Sequence, residues 1–403
     1  MLKSVIIKDF FSFKGDVRIS LNKGQNLLLG INGSGKTSFI NALRLLSEGV
    51  CGNGVENLIQ TWWGGYAQIL NCSGRERSNN IQITYIFDAE EINKFSHSTA
   101  FHSDVFYQIT IHPLGTTDYY LEEKLWTEKS QNEKRFTYLD FDNGRGILSK
   151  QNRDDVVTFQ DYSNGDISGR ELVLKQINDP KQFLPIHTVK KAVESMSVYN
   201  SFDTGEASKI RRVAEYSTGN RLWKNGENLT QILNDLRNNH SLDFEKIEEE
   251  LHKVNPSYKN IEINNITGQA YLSLREKNLD KTIGALHISD GTLRFLLLET
   301  VFLNPNKGTF IAIDEPERGL HPDMIRSVAE MIKSAAKDSQ LIIATHSPHL
   351  LNQFDLDDVL VFEKNEENAS FVKKLSDSDF SDYDGDLLPG QLWLNGEIGG
   401  KRW

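Results

Sequence analysis

The spacing of apolar residues divides the chain into stretches of different period. Residues 4–10 and 16–21 alternate or run apolar and predict two strands, and 25–29 is a short apolar run that reads as a buried strand. Residues 37–46 then carry apolar positions at helical spacing. From 81 to 176 the strand signal dominates. Candidate strands lie at 81–87, 105–112, 119–125, 136–141, 156–161 and 171–176, with Asn, Gly and Asp turns between them. Helical spacing returns at 188–199, 228–238 and 244–254, and a hairpin is expected from 261–266 and 270–275. The last part predicts helices at 295–302 and 324–336, buried parallel strands at 309–313 and 340–344, and a final hairpin of 359–363 with 371–375. The pattern is α/β, with an antiparallel β lobe and a short helical insertion. No heptads are sustained, so no long coiled coil is expected.

Between the strand at 25–29 and the helix that follows lies Gly30-Ile31-Asn32-Gly33-Ser34-Gly35-Lys36-Thr37-Ser38, which matches G-x-x-x-x-G-K-[ST]. Glycines let backbone N–H groups turn inward around an anion, and the helix N-terminus adds partial positive charge. Lys36 would reach the β- and γ-phosphates of a nucleotide, and the Thr37 hydroxyl would ligate Mg²⁺. The plainer alternative is a glycine turn joining a strand to a helix.

Composition narrows the classes without choosing among them. The chain has 403 residues, 38% hydrophobic and 25% charged, which suits a globular protein with a well-buried core. No apolar run is long enough for a membrane span, and the start MLKSVIIKDF is too short and charged for a secretory signal, so a cytoplasmic protein is expected. Cys51 and Cys72 form no C-x-x-C pair and read as reduced thiols. A formal charge of −11 argues against a protein whose main task is wrapping nucleic acid, while leaving local basic patches open.

Two buried strands end in polar residues suited to the same loop. Asp314-Glu315 closes the strand at 309–313, where Asp314 would support Mg²⁺ and Glu315 would orient or deprotonate the water attacking a γ-phosphate. The alternative is an acidic pair capping the next helix. His346 closes the strand at 340–344 and fits a group reaching the γ-phosphate or that water. Ser289-Asp290-Gly291 opens a helix and forms a second anion-binding N-terminus or a plain N-cap. One chain does not need two such sites for one γ-phosphate, so Ser289 and Gly291 would serve the nucleotide of a second subunit.

In this order, GINGSGKTS, SDGTLR, TFIAIDEPE, GLHP and ATHSP resemble the Walker A, signature, Walker B, D-loop and H-loop segments of ABC-type ATPases. The chain is similar to the branch containing the structural maintenance of chromosomes (SMC) proteins, RecF and the ATPase part of OLD-family nucleases, and to the ATPase subunits of antiphage systems such as PARIS and Septu. The resemblance implies ATP and Mg²⁺ as cofactors, Asn32 to Ser38 as the ATP-binding loop, Thr37 and Asp314 at the metal, and Glu315 and His346 as catalytic groups. Ser289 and Gly291 would complete the site from the other protomer, with Gly319-Leu320-His321-Pro322 along the same seam. Asp290 stands where transporters usually have glycine. Gln82 is a candidate for the further metal-contacting glutamine.

The resemblance implies a division into 1–80 as the first half of the ATPase head, 81–178 as the β lobe, 179–258 as a helical subdomain, 259–375 as the second half of the head, and 376–403 as an acidic linker and tail. A Toprim domain, as in OLD nucleases, is not expected. Asp382-Tyr383-Asp384 imitates its acidic pair, but the neighbouring Asp377, Asp379 and Asp386 suggest a solvated linker. The tail, with Trp393 and Trp403, would dock on the head or on a partner. Two functions follow. One is a homodimer that closes around ATP and switches a separately encoded effector, such as a Toprim or HNH nuclease, in antiphage defence. The other is a RecF-like DNA clamp in which Lys190, Lys191, Lys209, Arg211 and Arg212 line a duplex groove.

Overall fold

The computed structural model describes residues 1–73, 79–129, 134–151, 157–163, 165–199, 201–215, 219–266, 268–376 and 388–399. The acidic residues 377–386 named above lie outside them, as does Trp403. The hairpin β1 (Leu2–Lys8) and β2 (Asp16–Ser20) precedes the loop strand β3 (Gln25–Leu29) and the helix Lys36–Cys51. Then come β4 (Ile81–Phe87), β5 (Val105–Leu114), β6 (Asp118–Thr127), β7 (Phe136–Asp142), β8 (Arg145–Gln151) and β9 (Val157–Asp161). With the first hairpin they form an antiparallel sheet ordered β2-β1-β4-β5-β6-β7-β8-β9.

The second half begins with the helix Leu184–Glu194 and β10 (Met196–Tyr199), followed by β11 (Ala214–Glu215) and the helices Leu229–Asn239 and Ser241–Val254. A small sheet of β11, β12 (Tyr258–Ile266), β13 (Gln269–Glu276) and β14 (Ile283–Gly284) leads to the helix Asp290–Leu303. Next come β15 (Phe310–Asp314), the helix Pro322–Ala335, β16 (Gln340–Ala344), β17 (Val359–Lys364) and β18 (Ser370–Lys374). The central sheet runs β10-β15-β16-β3-β17-β18 and is parallel except for β18.

This sheet separates two cores. Successive residues of each strand point to opposite faces. Phe310, Ala312, Ile342, Ala344, Leu28 and Phe362 pack with the Lys36–Cys51 helix and the β lobe. Ile311, Ile313, Leu341, Ile343, Leu27 and Leu29 pack with the helices Leu229–Asn239, Asp290–Leu303 and Pro322–Ala335. Burial on both faces explains why these strands read as unbroken apolar runs.

Several expected elements change identity. Residues 171–176 are not a strand. Leu172, Val173 and Leu174 are all buried, which alternation cannot provide, and the short helix Val173–Gln176 docks them beside the Lys36–Cys51 helix. The helix expected at 188–199 starts earlier, with Pro185 in its first turn, and ends at Glu194. Met196–Tyr199 instead pairs in parallel with β15 and is buried throughout. The helix expected at 295–302 begins at Asp290, and the strand Arg145–Gln151 carries no clear sequence signal. In the tail, Leu392, Trp393 and Ile398 are buried in the second core, so the described part of the tail docks on the head.

The β lobe encloses the carboxyl of Glu123. Glu123 is 2% exposed, accepts the Tyr107 hydroxyl, and accepts the Val173 N–H at 2.8 Å, which ties the short helix to the sheet. Burial pushes its pKa up to about 7, against the bonds from Tyr107 and Val173. The folded chain therefore holds a proton that the unfolded chain releases near the ordinary carboxylate range. The linked stability is present below that range and is lost as pH rises through about 7. In Glu123→Gln, the fall in melting temperature between about pH 5 and pH 8 is expected to flatten. A slope equal to that of the parent protein in thermal melts would refute this account.

Candidate active site

Glycines shape the loop after β3 because side chains do not fit there. A Cβ on Gly30 would lie 2.4 Å from the Phe362 carbonyl oxygen, and one on Gly35 would lie 2.6 Å from the Ser370 hydroxyl. Gly35 adopts φ 113° and caps the Lys36–Cys51 helix without a side-chain hydrogen bond, so the first-turn N–H groups are not covered by a cap. The Ser34 hydroxyl is buried and has no partner among the described residues. Ser38 shares a 3.0 Å hydrogen bond with Ser12, which ties the helix to the turn after β1. Lys36 donates to the carbonyls of Gly30 at 2.7 Å and Ile31 at 3.1 Å. Burial lowers its pKa to about 8, opposed by Asp314, Glu315 and Glu317.

Opposite the loop stand the ends of β15 and β16. Asp314 is raised by burial and by Glu315, while Lys36, Arg44 and a hydrogen bond from Thr37 pull it down. Glu315 adopts φ 48°, a left-handed conformation uncommon for glutamate, and its N–H donates to Ala344 at 2.8 Å. Strain of that kind collects at functional sites. His346 Nε2 stands 3.5 Å from Glu315 Oε1, and burial, with Lys36 nearby, lowers its pKa. That shift favours the uncharged form of the imidazole that faces Glu315.

Asn32, Gly33, Gly35, Lys36, Thr37, Ser38, Asp314, Glu315 and His346 line one cleft of about 130 Å³. Among the described residues, no group of three or more His, Cys, Asp or Glu side chains could hold a metal ion. The Thr37 hydroxyl bonded to Asp314 nonetheless suits Mg²⁺, which takes one or two carboxylates and completes its shell with water and phosphate oxygens.

The remaining expected residues lie elsewhere. Ser289 is the N-cap of the helix Asp290–Leu303 and accepts from the Thr292 N–H at 3.2 Å. Gly291 packs so closely that a Cβ would lie 3.1 Å from the Gly319 carbonyl oxygen. Neither lines the cleft. Gln82 sits on β4, donates its side-chain amide to Gln108 at 2.9 Å, and is likewise not among the lining residues. On the side away from β16, β15 pairs with β10, and residue 200, which follows β10, lies outside the described residues.

Of the five basic residues proposed for a duplex groove, Lys190 and Arg211 are buried, and Arg212 is exposed. Lys190 is buried and donates to the carbonyls of Lys175 and Ile177 and to Asn178. Arg211 is also buried and bonds the carbonyls of Thr204, Ala285 and Ile288 and the Asp290 carboxylate. Lys191 pairs with Glu194 and Lys209 with Glu227. Arg211 thus fastens the segment that leads to Ser289. Arg294 joins the same helix to the turn after β15, donating to Arg318 O at 2.7 Å and to Phe202 O at 2.9 Å. Sequence reasoning assigned neither arginine this structural task. Arg294 lies inside the quoted SDGTLR motif, whereas Arg211 looked like one of a cluster of surface charges.

Residues 26–352 match the family described as "AAA domain, putative AbiEii toxin, Type IV TA system". A curated relative, the retron Ec83 probable ATPase of Escherichia coli, is 27% identical over 151 residues, covering 34% of this chain and 28% of that protein. The SMC head bound to the C-winged helix domain of ScpA aligns with a TM-score of 0.57 at 16% identity, covering 95% of this chain and 99% of that one. An SMC head with an extended coiled coil, bound to the C-terminal domain of ScpA derived from Pyrococcus furiosus, gives 0.57 at 14% identity, covering 94% and 98%. At these identities the likeness is one of fold, that of an SMC head. Among the described residues, no helix is long and apolar enough to cross a membrane.

The loop glycines are not equivalent. A Cβ on Gly33, at φ 78°, would meet nothing within 4 Å, whereas one on Gly35 would strike Ser370. Gly33→Ala should cost only the backbone term of about 1 to 2 kcal/mol. Gly35→Ala should cost about 1 to 3 kcal/mol more through the clash. Denaturant melts that rank the two variants equally would contradict this packing.

Proposed function

Because this chain belongs to the AAA-domain family whose description matches residues 26–352, we propose that it is an ATPase whose nucleotide cycle acts as a switch. The observation that carries the reading is the convergence of Lys36, Thr37, Asp314, Glu315 and His346 on one cleft. Lys36 would leave the loop carbonyls for the β- and γ-phosphates of ATP, and the N-terminal N–H groups of its helix would receive the phosphate oxygens. Thr37 and Asp314 would hold Mg²⁺, which supplies charge neutralisation at those phosphates. Glu315 would take the proton of a water as its oxygen bonds the γ-phosphorus and the bond to the β,γ-bridging oxygen breaks, giving ADP and phosphate. His346 would orient that water or the γ-phosphate by hydrogen bonding, and the lowering of its pKa by burial favours the form that adds no charge.

Within one chain neither Ser289 nor Gly291 is among the residues that line the cleft. We assign Ser289 and Gly291 to the γ-phosphate of a second copy, so that two heads close around ATP. The SMC-head-like fold supports such a pairing. The toxin named in the family description and the retron named for the curated relative support a place in a bacterial defence system. There the ATPase would control a separately encoded effector, a nuclease of the Toprim or HNH kind. The burial of Lys190 and Arg211 weighs against the DNA-clamp alternative.

Two substitutions test the reading by phosphate release, nucleotide binding and light scattering. Glu315→Gln should lower turnover by about a hundredfold or more while keeping ATP bound and favouring a long-lived dimer. Unchanged hydrolysis would remove the role given to Glu315. Lys36→Ala should lose ATP affinity, and tight binding in that variant would contradict the loop assignment.

A further inference from the structure

The turn after β15 carries an acid that the reading above leaves unused. Glu317 Oε1 accepts the Thr345 hydroxyl at 2.5 Å and the backbone N–H of His346 at 3.1 Å. Thr345 is fully buried, and its oxygen in turn accepts the Ser347 N–H at 3.0 Å, at the cap of the short helix Pro348–Leu351. Glu317 Oε2 is shielded from solvent and has no hydrogen-bond partner among the described residues. Burial pushes the carboxyl up, against the bonds from Thr345, its own backbone and His346, and Glu315 adds repulsion.

As a device for stability this is a poor arrangement. A buried carboxyl that leaves one oxygen unpaired bears a desolvation cost that an apolar side chain would not. Departures of this kind are expected where function requires them. What Glu317 does achieve is geometric. It lies two residues after Glu315 and grips the backbone of His346, and these two residues face each other at 3.5 Å across the cleft. The ends of β15 and β16 are thereby joined by a side-chain bridge as well as by the strand ladder.

We propose that Glu317 is a positioning residue for ATP hydrolysis, fixing the β16 exit through Thr345 and the His346 N–H so that the imidazole stands against Glu315. The inference rests on the ATPase reading above. Glu317 is not among the residues that line the cleft and acts through His346. What it needs is an acceptor oxygen at Oε1, and a negative charge is not required for the two bonds it makes.

Steady-state ATP turnover on the full chain tests this with Glu317→Ala, Glu317→Gln, His346→Ala and the Glu317→Ala/His346→Ala double variant. Glu317→Ala should lower kcat about tenfold or more with KM changed by less than about threefold, as expected of a misplaced group rather than a lost binding contact. Glu317→Gln keeps a carbonyl acceptor and should remain within about threefold of the parent kcat. In the His346→Ala background, Glu317→Ala should add little, because the two act as a unit. Unchanged kcat in Glu317→Ala, equal losses in the Ala and Gln variants, or additive losses in the double variant would each overturn the proposal. If Glu317→Ala does not fold, Thr345→Val removes the same bond from the other side and should give the same split. A second readout needs no turnover. In nucleotide-free protein followed by NMR, the His346 imidazole titration should move in Glu317→Ala and stay in place in Glu317→Gln. Absence of hydrolysis in the parent protein would defeat the ATPase reading, and the titration alone would then decide whether Glu317 positions His346.

Discussion

The cleft depends on the parallel register of three strands. Asp314 of β15 pairs with Ala344 of β16, and Ala344 pairs with Leu28 of β3. Parallel strands share a direction, so their exits lie at one edge of the sheet, where ligand sites of open α/β sheets gather. The glycine loop, the acidic pair and the imidazole arrive together because ladder hydrogen bonds align the strands that carry them. A shift of one residue in any strand would also exchange its two faces, moving Ile311 and Ile313 into the core that now holds Phe310 and Ala312. Burial on both faces therefore protects the geometry of the site.

Electrostatics in the cleft point one way. Burial drives Lys36 down to about 8, lifts Asp314 and lowers His346, so each group is pushed toward its neutral form. Lys36 is meanwhile satisfied by two loop carbonyls, which are weak substitutes for a phosphate oxygen. A polyanion held by the loop would favour the charged lysine and reverse that trend. The resting arrangement is thus stable enough to fold and poor enough in charge pairing to favour a ligand. The left-handed backbone of Glu315 adds local strain on the side of the acids.

Much of this was legible in the sequence because the residues concerned carry strong local signals. Gly30 to Ser38 combines a motif with a change of period, and the runs TFIAI and QLIIA are apolar enough to announce strands buried on both faces. The parts that escaped lack such signals or are governed by tertiary context. Leu172 to Leu174 alternates like a strand only if Val173 is counted as outward, and packing against a helix buries it. Met196–Tyr199 continues the helical pattern before it, and only its pairing with β15 makes it a strand. Arg211 and Lys190 look like solvated charges. Their burial follows from backbone carbonyls brought to them by segments up to 77 residues away, which no local window contains.

The place of β3 within its sheet has a consequence for how the protein is made. Its neighbours are β16 and β17, supplied by residues 340–344 and 359–364, while β3 itself spans 25–29. On a ribosome, the strand that leads into the glycine loop therefore waits for its partners until residues 340–364 have been synthesised. Loop-closure entropy grows slowly with length, but contacts this distant in sequence delay folding and leave apolar edges exposed in the interim. The cleft cannot assemble before β16 and β17 have been made, and shielding of that early apolar segment during synthesis becomes part of what the fold requires.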